Sequence, residues 1–278
     1  MNRPRVVILG GGFGGVYTAL HLEKLMPPGA IDLTLVSREN HLLFTPMLHE
    51  VAASDLDVTH IVNPIRKLVR RGVVVAGEVT EIDLQGKVVE VGHRDGGHHH
   101  TIGYDHLVIA LGSVTNFFKL PGLEERALTM KSLGDALALR NRTIQLLEEA
   151  EFESSAAQRQ HLLTFLVAGG GFAGVETIAA LNDFLRESLQ FYPHIKERDL
   201  RLVLVEPGPR LLPELDASLG TYTAGALSGR GIEVRIGVGV KAASEAGVEL
   251  SDGQTVAAHT IVWTAGTAGH PLLSQLPC

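Results

Sequence analysis

The hydrophobic positions of this 278-residue chain follow the same order twice. A short apolar run at residues 5–9 leads into a glycine-rich loop, a helical pattern and a second apolar run at 31–36. The same order starts again at residue 163 and reaches its second apolar run at 200–205. Continuous apolar runs of this length are typical of buried parallel strands, and the spacing between them is that of amphipathic helices.

Each half continues in the same way after this strand–loop–helix–strand unit. A third strand is predicted at 73–76 and at 232–236, followed by a β-meander and a last strand that ends in a small-residue turn. The glycine loops start at Gly10 and Gly169, 159 residues apart, whereas solenoid repeats run about 20–50 residues. The sequence therefore predicts an α/β fold with two Rossmann-like three-layer dinucleotide-binding domains that carry β-meander insertions.

A helical connector is predicted between the two halves. Its amphipathic stretch begins at Ser132, which forms a candidate capping box with Asp135. Residues 148–161 are polar and are interpreted as an exposed helix end and connector. The predicted organisation is a first domain at 1–120, the connector at 121–161, a second domain at 162–266, and the start of a return crossing to the first domain at 267–278.

Composition narrows the possible classes of protein. Hydrophobic residues make up 45 % of the chain and charged residues 20 %, as in a globular protein with a core. The formal net charge of −7 argues against nucleic-acid binding. A single cysteine, Cys278, argues against a disulfide framework and a cysteine zinc cluster, and no metal site is expected. No apolar stretch approaches the ~18 residues of a membrane-spanning helix.

The first glycine loop, Gly10-x-Gly12-x-x-Gly15, has the spacing of a dinucleotide-binding fingerprint. Gly10 permits a tight turn, Gly12 lets the backbone approach a diphosphate, and Gly15 lets the helix pack against the strand. The diphosphate is then expected at the helix N-terminus. The alternative interpretation is a glycine-rich turn that only packs.

Ser37 takes the place of the acidic ribose ligand in the first half, 22 residues after Gly15. Its hydroxyl is expected to bind a ribose more weakly than a carboxylate. Arg38 beside it is either an adenine-stacking residue or a solvated loop arginine.

The second fingerprint, Gly169-x-Gly171-x-x-Gly174, has its acid in Glu206, 32 residues after Gly174. A carboxylate at a strand end accepts the ribose hydroxyls and repels a 2′-phosphate. This predicts a preference for NADH over NADPH. The nearby basic residue Arg210 argues against that preference, because an arginine can accommodate a 2′-phosphate.

With these motifs, the chain resembles the flavoprotein reductases with two dinucleotide-binding domains, and most of all the type II NADH dehydrogenases (NADH:quinone oxidoreductases). The "FTPML" stretch after the second strand, 44–48, is the most specific of the matching segments. The resemblance covers essentially the whole chain, and its segments are 7–15, 40–53, 104–113, 169–176 and 260–266.

The resemblance implies that the first fingerprint binds FAD and the second binds NADH, and that hydride passes to the flavin and two electrons with two protons then reach a quinone. Thr45 and Pro46 would lie near the flavin ring, Glu78 and Val79 near the adenine, and Ala265 near the nicotinamide. The complete set of expected cofactor-binding residues is Gly10, Gly12, Phe13, Gly14, Gly15, Ser37, Arg38, Thr45, Pro46, Glu78, Val79, Ala110, Leu111, Gly112, Gly169, Gly171, Phe172, Gly174, Glu206, Ala265 and Gly266.

Glu176 is the candidate catalytic residue. The pattern places it in the first turn of the second fingerprint helix. The resemblance implies a position at the flavin–nicotinamide junction and a role in proton or substrate handling. The alternative is an acidic residue favoured by the helix dipole.

Two other clusters are interpreted as solvated surface. His98, His99 and His100 follow two glycines and are expected at a hairpin tip, because consecutive residues on a strand point to alternate faces and cannot all bind one metal. Basic residues at 66, 67, 70 and 71 are expected to form one helical patch, with contact to anionic lipid as the alternative.

Members of the resembled family continue past the position of Gly266, with a segment that clamps the flavin and a C-terminal region for membrane attachment, dimerisation and the quinone site. We therefore expect this chain to correspond to the N-terminal two-thirds of such an enzyme, and to be soluble by itself. A full-length parent is expected in the cytoplasm, peripheral to the inner face of the cell membrane, as a possible homodimer.

Two alternatives to the interpretation as a type II NADH dehydrogenase stay open. They are a soluble NADH-dependent flavoprotein reductase with another acceptor and a non-catalytic nucleotide-binding fragment. Disulfide reductases and sulfide:quinone reductases are disfavoured because the chain lacks their redox cysteines.

Overall fold

The computed structural model of the chain describes residues 3–92 and 98–277. Its strands are, in chain order, β1 (Arg5–Leu9), β2 (Asp32–Ser37), β3 (His41–Leu43), β4 (Val62–Pro64), β5 (Val73–Ala76), β6 (Glu78–Asp83), β7 (Val88–Gly92), β8 (His99–Gly103), β9 (His106–Ile109), β10 (Ser113–Thr115), β11 (Ala127–Thr129), β12 (Thr164–Ala168), β13 (Arg201–Glu206), β14 (Ile232–Ile236), β15 (Val240–Ser244), β16 (Gly247–Leu250), β17 (Thr255–Val256), β18 (Thr260–Trp263) and β19 (Thr267–Gly269).

The α-helices are α1 (Phe13–Leu25), α2 (Leu48–Ala52), α3 (Ile65–Leu68), α4 (Leu123–Arg126), α5 (Leu133–Phe152), α6 (Ala156–Leu162), α7 (Phe172–Ser188) and α8 (Ala217–Gly229). Short 3-10 helices occupy Thr45–Met47, Val58–His60, Leu189–Phe191, Glu197–Asp199 and Pro271–Gln275. None of the helices in the described part of the chain is both long enough and apolar enough to cross a membrane.

The chain divides into two compact units. Unit 1 contains the described residues of Met1–Phe44, Ile61–Val114 and Ala268–Cys278, and unit 2 contains those of Thr45–His60 and Thr115–Thr267. The segment 45–60 thus groups with the second half, although the sequence places it in the first predicted domain. The physical reason is that α2 packs against α5 and α7 of unit 2.

Unit 1 is built on a four-stranded sheet with the order β5-β2-β1-β9, in which every neighbouring pair is parallel. The side chains of β1 alternate between its two faces. Val6 and Ile8 pack with Val16 of α1, whereas Val7 and Leu9 pack with Val89 of the meander β6-β7-β8. Helix, sheet and meander therefore form three layers, as predicted.

Unit 2 repeats this design on the parallel sheet β11-β18-β12-β13-β14. Leu166 and Val203 of the sheet share a core with Val248 and Leu250 of the meander β15-β16-β17. Helices α5, α7 and α8 contact strands of the same sheet. In unit 1 the first strand, β1, lies between β2 and β9, the strand that follows the meander. In unit 2 the first strand, β12, lies in the same way between β13 and β18. The predicted α/β fold with two Rossmann-like domains is therefore confirmed.

The helical connector differs in one detail from the prediction. Helix α5 begins after Ser132, and the capping box with Asp135 forms as expected, with 3.2 Å from the Asp135 amide to the Ser132 hydroxyl. The stretch that follows is not a simple helix end, because a second helix, α6, begins after its own cap, Ser155. The amide of Gln158 donates to the Ser155 hydroxyl, so Ser155 caps the N-terminus of α6. The polar composition of this segment did not indicate that a helix begins there.

The predicted basic helical patch does not form as one helix. Helix α3 has four residues and ends at Leu68. The amides of Arg70 and Arg71, in the following turn, donate to the Glu23 carboxylate, and the Arg71 guanidinium donates to the carbonyl of Met26. His98, His99 and His100 are exposed, as expected, but His99 and His100 begin strand β8 and pair with β7 instead of forming a hairpin tip. Residues 93–97 of the predicted turn lie outside the described part of the chain. No group of metal-ligating side chains occurs within the described ranges.

Candidate functional site

The first glycine loop is closely packed at two of its three fingerprint positions. Gly10 has a φ of +111°, and a Cβ there would overlap the carbonyl of Ala110. A Cβ on Gly15 would overlap the carbonyl oxygen of Gly10, so only glycine lets α1 start this close to β1. The amide of Gly10 donates to the carbonyl of Val36 at 2.8 Å, which fixes the loop to the end of β2.

Gly12, the third fingerprint glycine, faces open space. No heavy atom lies within 4 Å of a Cβ built on it. It is the N-cap of α1 and supplies no side-chain hydrogen bond to the first turn, which begins with Phe13 and Gly14. Uncapped amides at a helix N-terminus, with free space in front of them, fit an anionic diphosphate.

Ser37 is the last residue of β2 and is only 6 % exposed. A Cβ on Gly11 would stand 2.2 Å from the Ser37 hydroxyl oxygen, so Ser37 packs against the middle of the glycine loop. Arg38, in contrast, has a side chain that is 60 % exposed and lies 3.5 Å from the Glu39 carboxylate. Ser37 is thus placed beside the loop, and Arg38 lies on the solvated surface with an acidic partner.

The remaining predicted FAD contacts of unit 1 lie on two further segments. Ala110, Leu111 and Gly112 follow β9, where Ala110 approaches the glycine loop and Gly112 turns with a φ of +72°. Glu78 and Val79 open β6; Glu78 is exposed, but Val79 is buried in the core under the meander. The Val79 side chain is therefore unavailable, and a contact from this position must use its backbone.

Thr45 and Pro46 lie in the 3-10 helix Thr45–Met47, and both are exposed. They belong to unit 2, and their position near the flavin stays a prediction.

Phe13, at the start of α1, is an exposed aromatic residue. Its ring stacks on the ring of Tyr17, with 6.3 Å between the ring centroids, and meets the ring of Phe44 edge to face at 5.7 Å.

The second glycine loop repeats the geometry of the first. Gly169 has a φ of +118°, and a Cβ on Gly174 would overlap its carbonyl oxygen. The Thr264 hydroxyl donates to the carbonyl of Ala168 at 2.9 Å and fills the space beside both glycines. Gly171, the N-cap of α7, faces open space as Gly12 does, and the next residue, Phe172, is 48 % exposed.

Glu206 is the last residue of β13 and holds the second loop in place. Its Oε2 accepts a hydrogen bond from the amide of Gly170 at 2.6 Å, and its Oε1 accepts one from the amide of Gly208 at 2.6 Å. Arg210 is turned to other partners, since its guanidinium donates to the carbonyls of Pro213 and Leu215. The carboxylate thus stands at the strand end with free lone pairs for further hydroxyl donors.

Ala265 and Gly266 follow β18 in unit 2. The amide of Asn116 donates to the carbonyl of Gly266 at 3.1 Å, and a Cβ on Gly266 would overlap the Asn116 carbonyl. That same carbonyl accepts the indole N–H of Trp263 at 2.9 Å. The backbone at this predicted nicotinamide position is therefore fixed by a close approach of two chain segments.

Glu176 lies elsewhere on α7 than the sequence pattern indicates. Helix α7 begins at Phe172, so Glu176 is its fifth residue and lies in the second turn; the first turn contains no acidic residue. The expectation of a first-turn position is wrong, because the helix starts two residues before Gly174. The helix-dipole interpretation is weakened, since that effect falls off within the first turn.

A histidine that the sequence analysis did not single out faces Glu176. His49 of α2 has its Nδ1 3.5 Å from Glu176 Oε2 and its Nε2 3.5 Å from Glu50 Oε1. Burial, and next the charge of Glu50, raise the pKa of the nearby Asp55 carboxyl. His49 directly follows the specific "FTPML" stretch in the sequence. This position next to the stretch was the sequence feature that could have pointed to His49 as a site residue.

The residues present fit two dinucleotides. Each unit offers an uncapped helix N-terminus beside open space, together with a strand-end oxygen ligand next to the loop, Ser37 in unit 1 and Glu206 in unit 2. Backbone amides suit the diphosphate, and hydroxyl or carboxylate oxygens suit a ribose. The site residues themselves stay predictions.

Comparisons with known proteins indicate the family and the fold of the chain. The profile of the pyridine nucleotide-disulphide oxidoreductase family matches residues 4–277. The type II NADH:quinone oxidoreductase Ndh of Mycobacterium tuberculosis is 34 % identical over 98 % of this chain and 59 % of the relative. A type II NADH:quinone oxidoreductase of Staphylococcus epidermidis is 31 % identical over 99 % of this chain and 67 % of the relative. The resemblance to this group is confirmed.

Solved structures show the same fold. NDH2 of Plasmodium falciparum, in complex with NADH, matches with a TM-score of 0.92 at 24 % identity, over 99 % of this chain and 57 % of that one. The chain therefore spans about three-fifths of the length of this structure and of the mycobacterial relative.

Proposed function

The chain belongs to the pyridine nucleotide-disulphide oxidoreductase family, and on that premise we propose that it carries the FAD- and NADH-binding part of a type II NADH:quinone oxidoreductase. NADH, one proton from solvent and a quinone give NAD⁺ and a quinol. The chemistry that FAD would supply when bound is the acceptance of hydride from NADH and the transfer of an electron pair to the quinone. The chain's own residues bind and orient the dinucleotides and handle the proton.

The observation that carries this proposal is the duplicated loop with two different strand ends. Both loops have a closely packed first and last fingerprint glycine and open space at the middle one. Ser37 ends the second strand of unit 1, whereas Glu206 ends that of unit 2. The Glu206 carboxylate can accept ribose hydroxyls and repels a 2′-phosphate, which supports NADH, rather than NADPH, at the second loop. FAD at the first loop is supported by the family to which the chain belongs.

Glu176 is proposed to handle the proton. Its side chain is 43 % exposed and lies on the helix that starts at the NADH loop. A carboxylate with access to solvent exchanges protons readily, and the overall reaction takes up one proton for each NADH.

Absorption spectroscopy of the purified 278-residue chain tests the proposal. After addition of FAD and removal of the excess, we expect a retained flavin spectrum that anaerobic NADH bleaches. Gly171→Val is the matched control, because its side chain fills the open space at the second loop only. We expect this variant to keep the flavin, to bleach with dithionite, and not to bleach with NADH. A folded chain that retains no flavin would contradict the proposal.

The electron acceptor is tested next. We expect the NADH-reduced chain to be reoxidised by a short-chain quinone faster than by ferricyanide or oxygen. A chain that reduces only the latter two would instead support a flavoprotein reductase with another acceptor.

Membrane attachment and dimerisation are proposed only for a longer parent, at the inner face of the cell membrane. Co-sedimentation with anionic lipid vesicles tests this, with the 278-residue chain compared with a full-length relative. We expect the relative to pellet and this chain to stay in the supernatant. A chain that pellets by itself would place the attachment within these residues.

A further inference from the structure

We propose that His49 is a positioning residue that holds the Glu176 carboxylate, an inference that rests on the proposed role of Glu176 in proton handling. The His49 ring lies between two carboxylates of unit 2, with each ring nitrogen 3.5 Å from a different one. The imidazole has two ring nitrogens, so one His49 side chain can contact Glu176 and Glu50 together.

The backbone that carries His49 is fixed at the C-terminal end of α2. The amides of Asp55 and Leu56 donate to the carbonyl of Glu50, and Ser54 takes a φ of +65°. The Arg140 guanidinium of α5 then donates to the Ser54 hydroxyl at 2.7 Å. The short helix is thereby fastened to α5.

The burial of the pair is unequal. The His49 side chain is 18 % exposed and that of Glu176 is 43 % exposed. The less exposed ring can restrict the more exposed carboxylate, because a glutamate side chain loses rotamer freedom where a partner holds it. Glu176 thus keeps its access to solvent while its position is set.

The charges around His49 are mostly negative. Glu50 and Asp55 follow it in the chain, and Asp183 and Glu187 of α7 act electrostatically on Asp55. Arg140 of α5 is the nearby cation that the hydrogen bonds place at this end of α2. Among these acidic groups, Glu176 is the one that faces the Nδ1 atom of His49.

The test uses two substitutions of this histidine. His49→Gln keeps a hydrogen-bond donor, whereas His49→Ala removes it. His194→Gln is the matched control, because His194 Nδ1 lies 2.5 Å from the Glu151 carboxylate in another histidine–glutamate pair of unit 2.

The first readout needs no cofactor. The chain is labelled at its histidines, and the NMR cross-peaks of His49 are assigned as those that disappear from the spectrum of His49→Gln. We expect Glu176→Gln to move the His49 cross-peaks at neutral pH, and Glu151→Gln to move those of His194 and leave His49 unchanged. Unmoved His49 cross-peaks in Glu176→Gln would overturn the proposal.

The second readout is steady-state oxidation of NADH by a short-chain quinone. We expect kcat to fall about threefold to tenfold in His49→Ala and less in His49→Gln, with the KM for NADH within about twofold of the wild-type value, because misplacement of a catalytic group lowers the rate and not the binding of NADH. An unchanged kcat in His49→Ala beside a lowered kcat in Glu176→Gln would overturn the positioning role.

Failure of the proposed function is distinguishable from failure of this inference. A chain that reduces no acceptor fails the proposed function, and the cross-peak measurement then decides by itself whether His49 holds Glu176.

Discussion

Glu206 Oε2 accepts a hydrogen bond of 2.6 Å from the backbone amide of Gly170. A single carboxylate therefore links the end of β13 to the middle of the second glycine loop. In unit 1 the corresponding place is held by Ser37, which packs against Gly11. The last residue of the second strand in each unit thus supports the loop and, by our proposal, also faces the ribose.

Glu206→Ser gives the second strand of unit 2 the same last residue, serine, as the second strand of unit 1. We expect the affinity for NADH to fall about tenfold, ~1.4 kcal/mol, because a charge-assisted acceptor is lost. We also expect the preference for NADH over NADPH to shrink, since the group that repels a 2′-phosphate is gone. Fluorescence titration with both nucleotides measures this.

Glu214→Ser is the control for that variant, because Glu214 is an exposed acid eight positions further along. Its nucleotide affinities should equal those of the wild type. Equal NADH affinity in Glu206→Ser and wild type would contradict the ribose role of Glu206.

Gly12→Ala and Gly15→Ala separate cofactor binding from folding. A Cβ at Gly12 meets open space and its φ of −81° suits alanine, so we expect stability within about 0.5 kcal/mol of wild type. FAD affinity should fall about tenfold or more, because the methyl group occupies the space in front of the helix N-terminus. Flavin retention and thermal unfolding measure the two effects.

Gly15→Ala should act on the fold itself. Its Cβ would overlap the Gly10 carbonyl and lie 3.3 Å from Ile8, both in the tightest part of unit 1. We expect a loss of about 1–3 kcal/mol. If Gly12→Ala destabilised the chain as much as Gly15→Ala, the division between a packing glycine and a binding glycine would be wrong.

The strands and the two units were largely predictable from local patterns. Residues 5–9 and 232–236 form strands with the predicted bounds, and Ser132 caps its helix as its spacing from Asp135 indicates. These features depend on neighbours within a few residues, which a sequence displays directly.

The contacts between distant segments were not predictable in this way. The grouping of 45–60 with unit 2 depends on α2 packing against α5 and α7, and the His49–Glu176 contact depends on the same packing. A short helix carries no periodicity that would reveal its partner. The second-turn position of Glu176 was missed because the glycine loop hides where α7 begins.

His259 should make stability depend on pH. Burial first, and then the charges of Arg142 and His161, hold the pKa of this imidazole below its usual 6.5, and Arg142 Nη2 lies 3.1 Å from its Nδ1. Above about pH 6.5 the residue is neutral in both the folded and the unfolded chain. As the pH falls further, the unfolded chain binds the proton first, so stability is lost.

Thermal unfolding between about pH 8 and about pH 5 measures this loss. We expect the wild type to lose more stability on acidification than His259→Asn, which keeps an acceptor for Arg142 but does not titrate. His106→Asn is the control, because His106 is exposed. Parallel curves for the wild type and His259→Asn would contradict the prediction.

Gly266→Ala should disturb the only tryptophan of the chain. The added Cβ would overlap the Asn116 carbonyl and lie 2.7 Å from the Phe118 ring. That carbonyl accepts the Trp263 indole N–H, and the indole is 5 % exposed. We expect a loss of about 1–3 kcal/mol from the forced shift, together with a red shift of the tryptophan emission as the indole becomes hydrated.

Gly225→Ala provides the comparison for this variant. Gly225 lies on α8 with open space at its Cβ, so alanine there should leave the emission unchanged and raise stability by about 0.5–1 kcal/mol. Emission spectra and urea unfolding of both variants measure the contrast. If Gly266→Ala kept the wild-type emission and stability, the close approach of Gly266 to Asn116 would not be what fixes this predicted nicotinamide position.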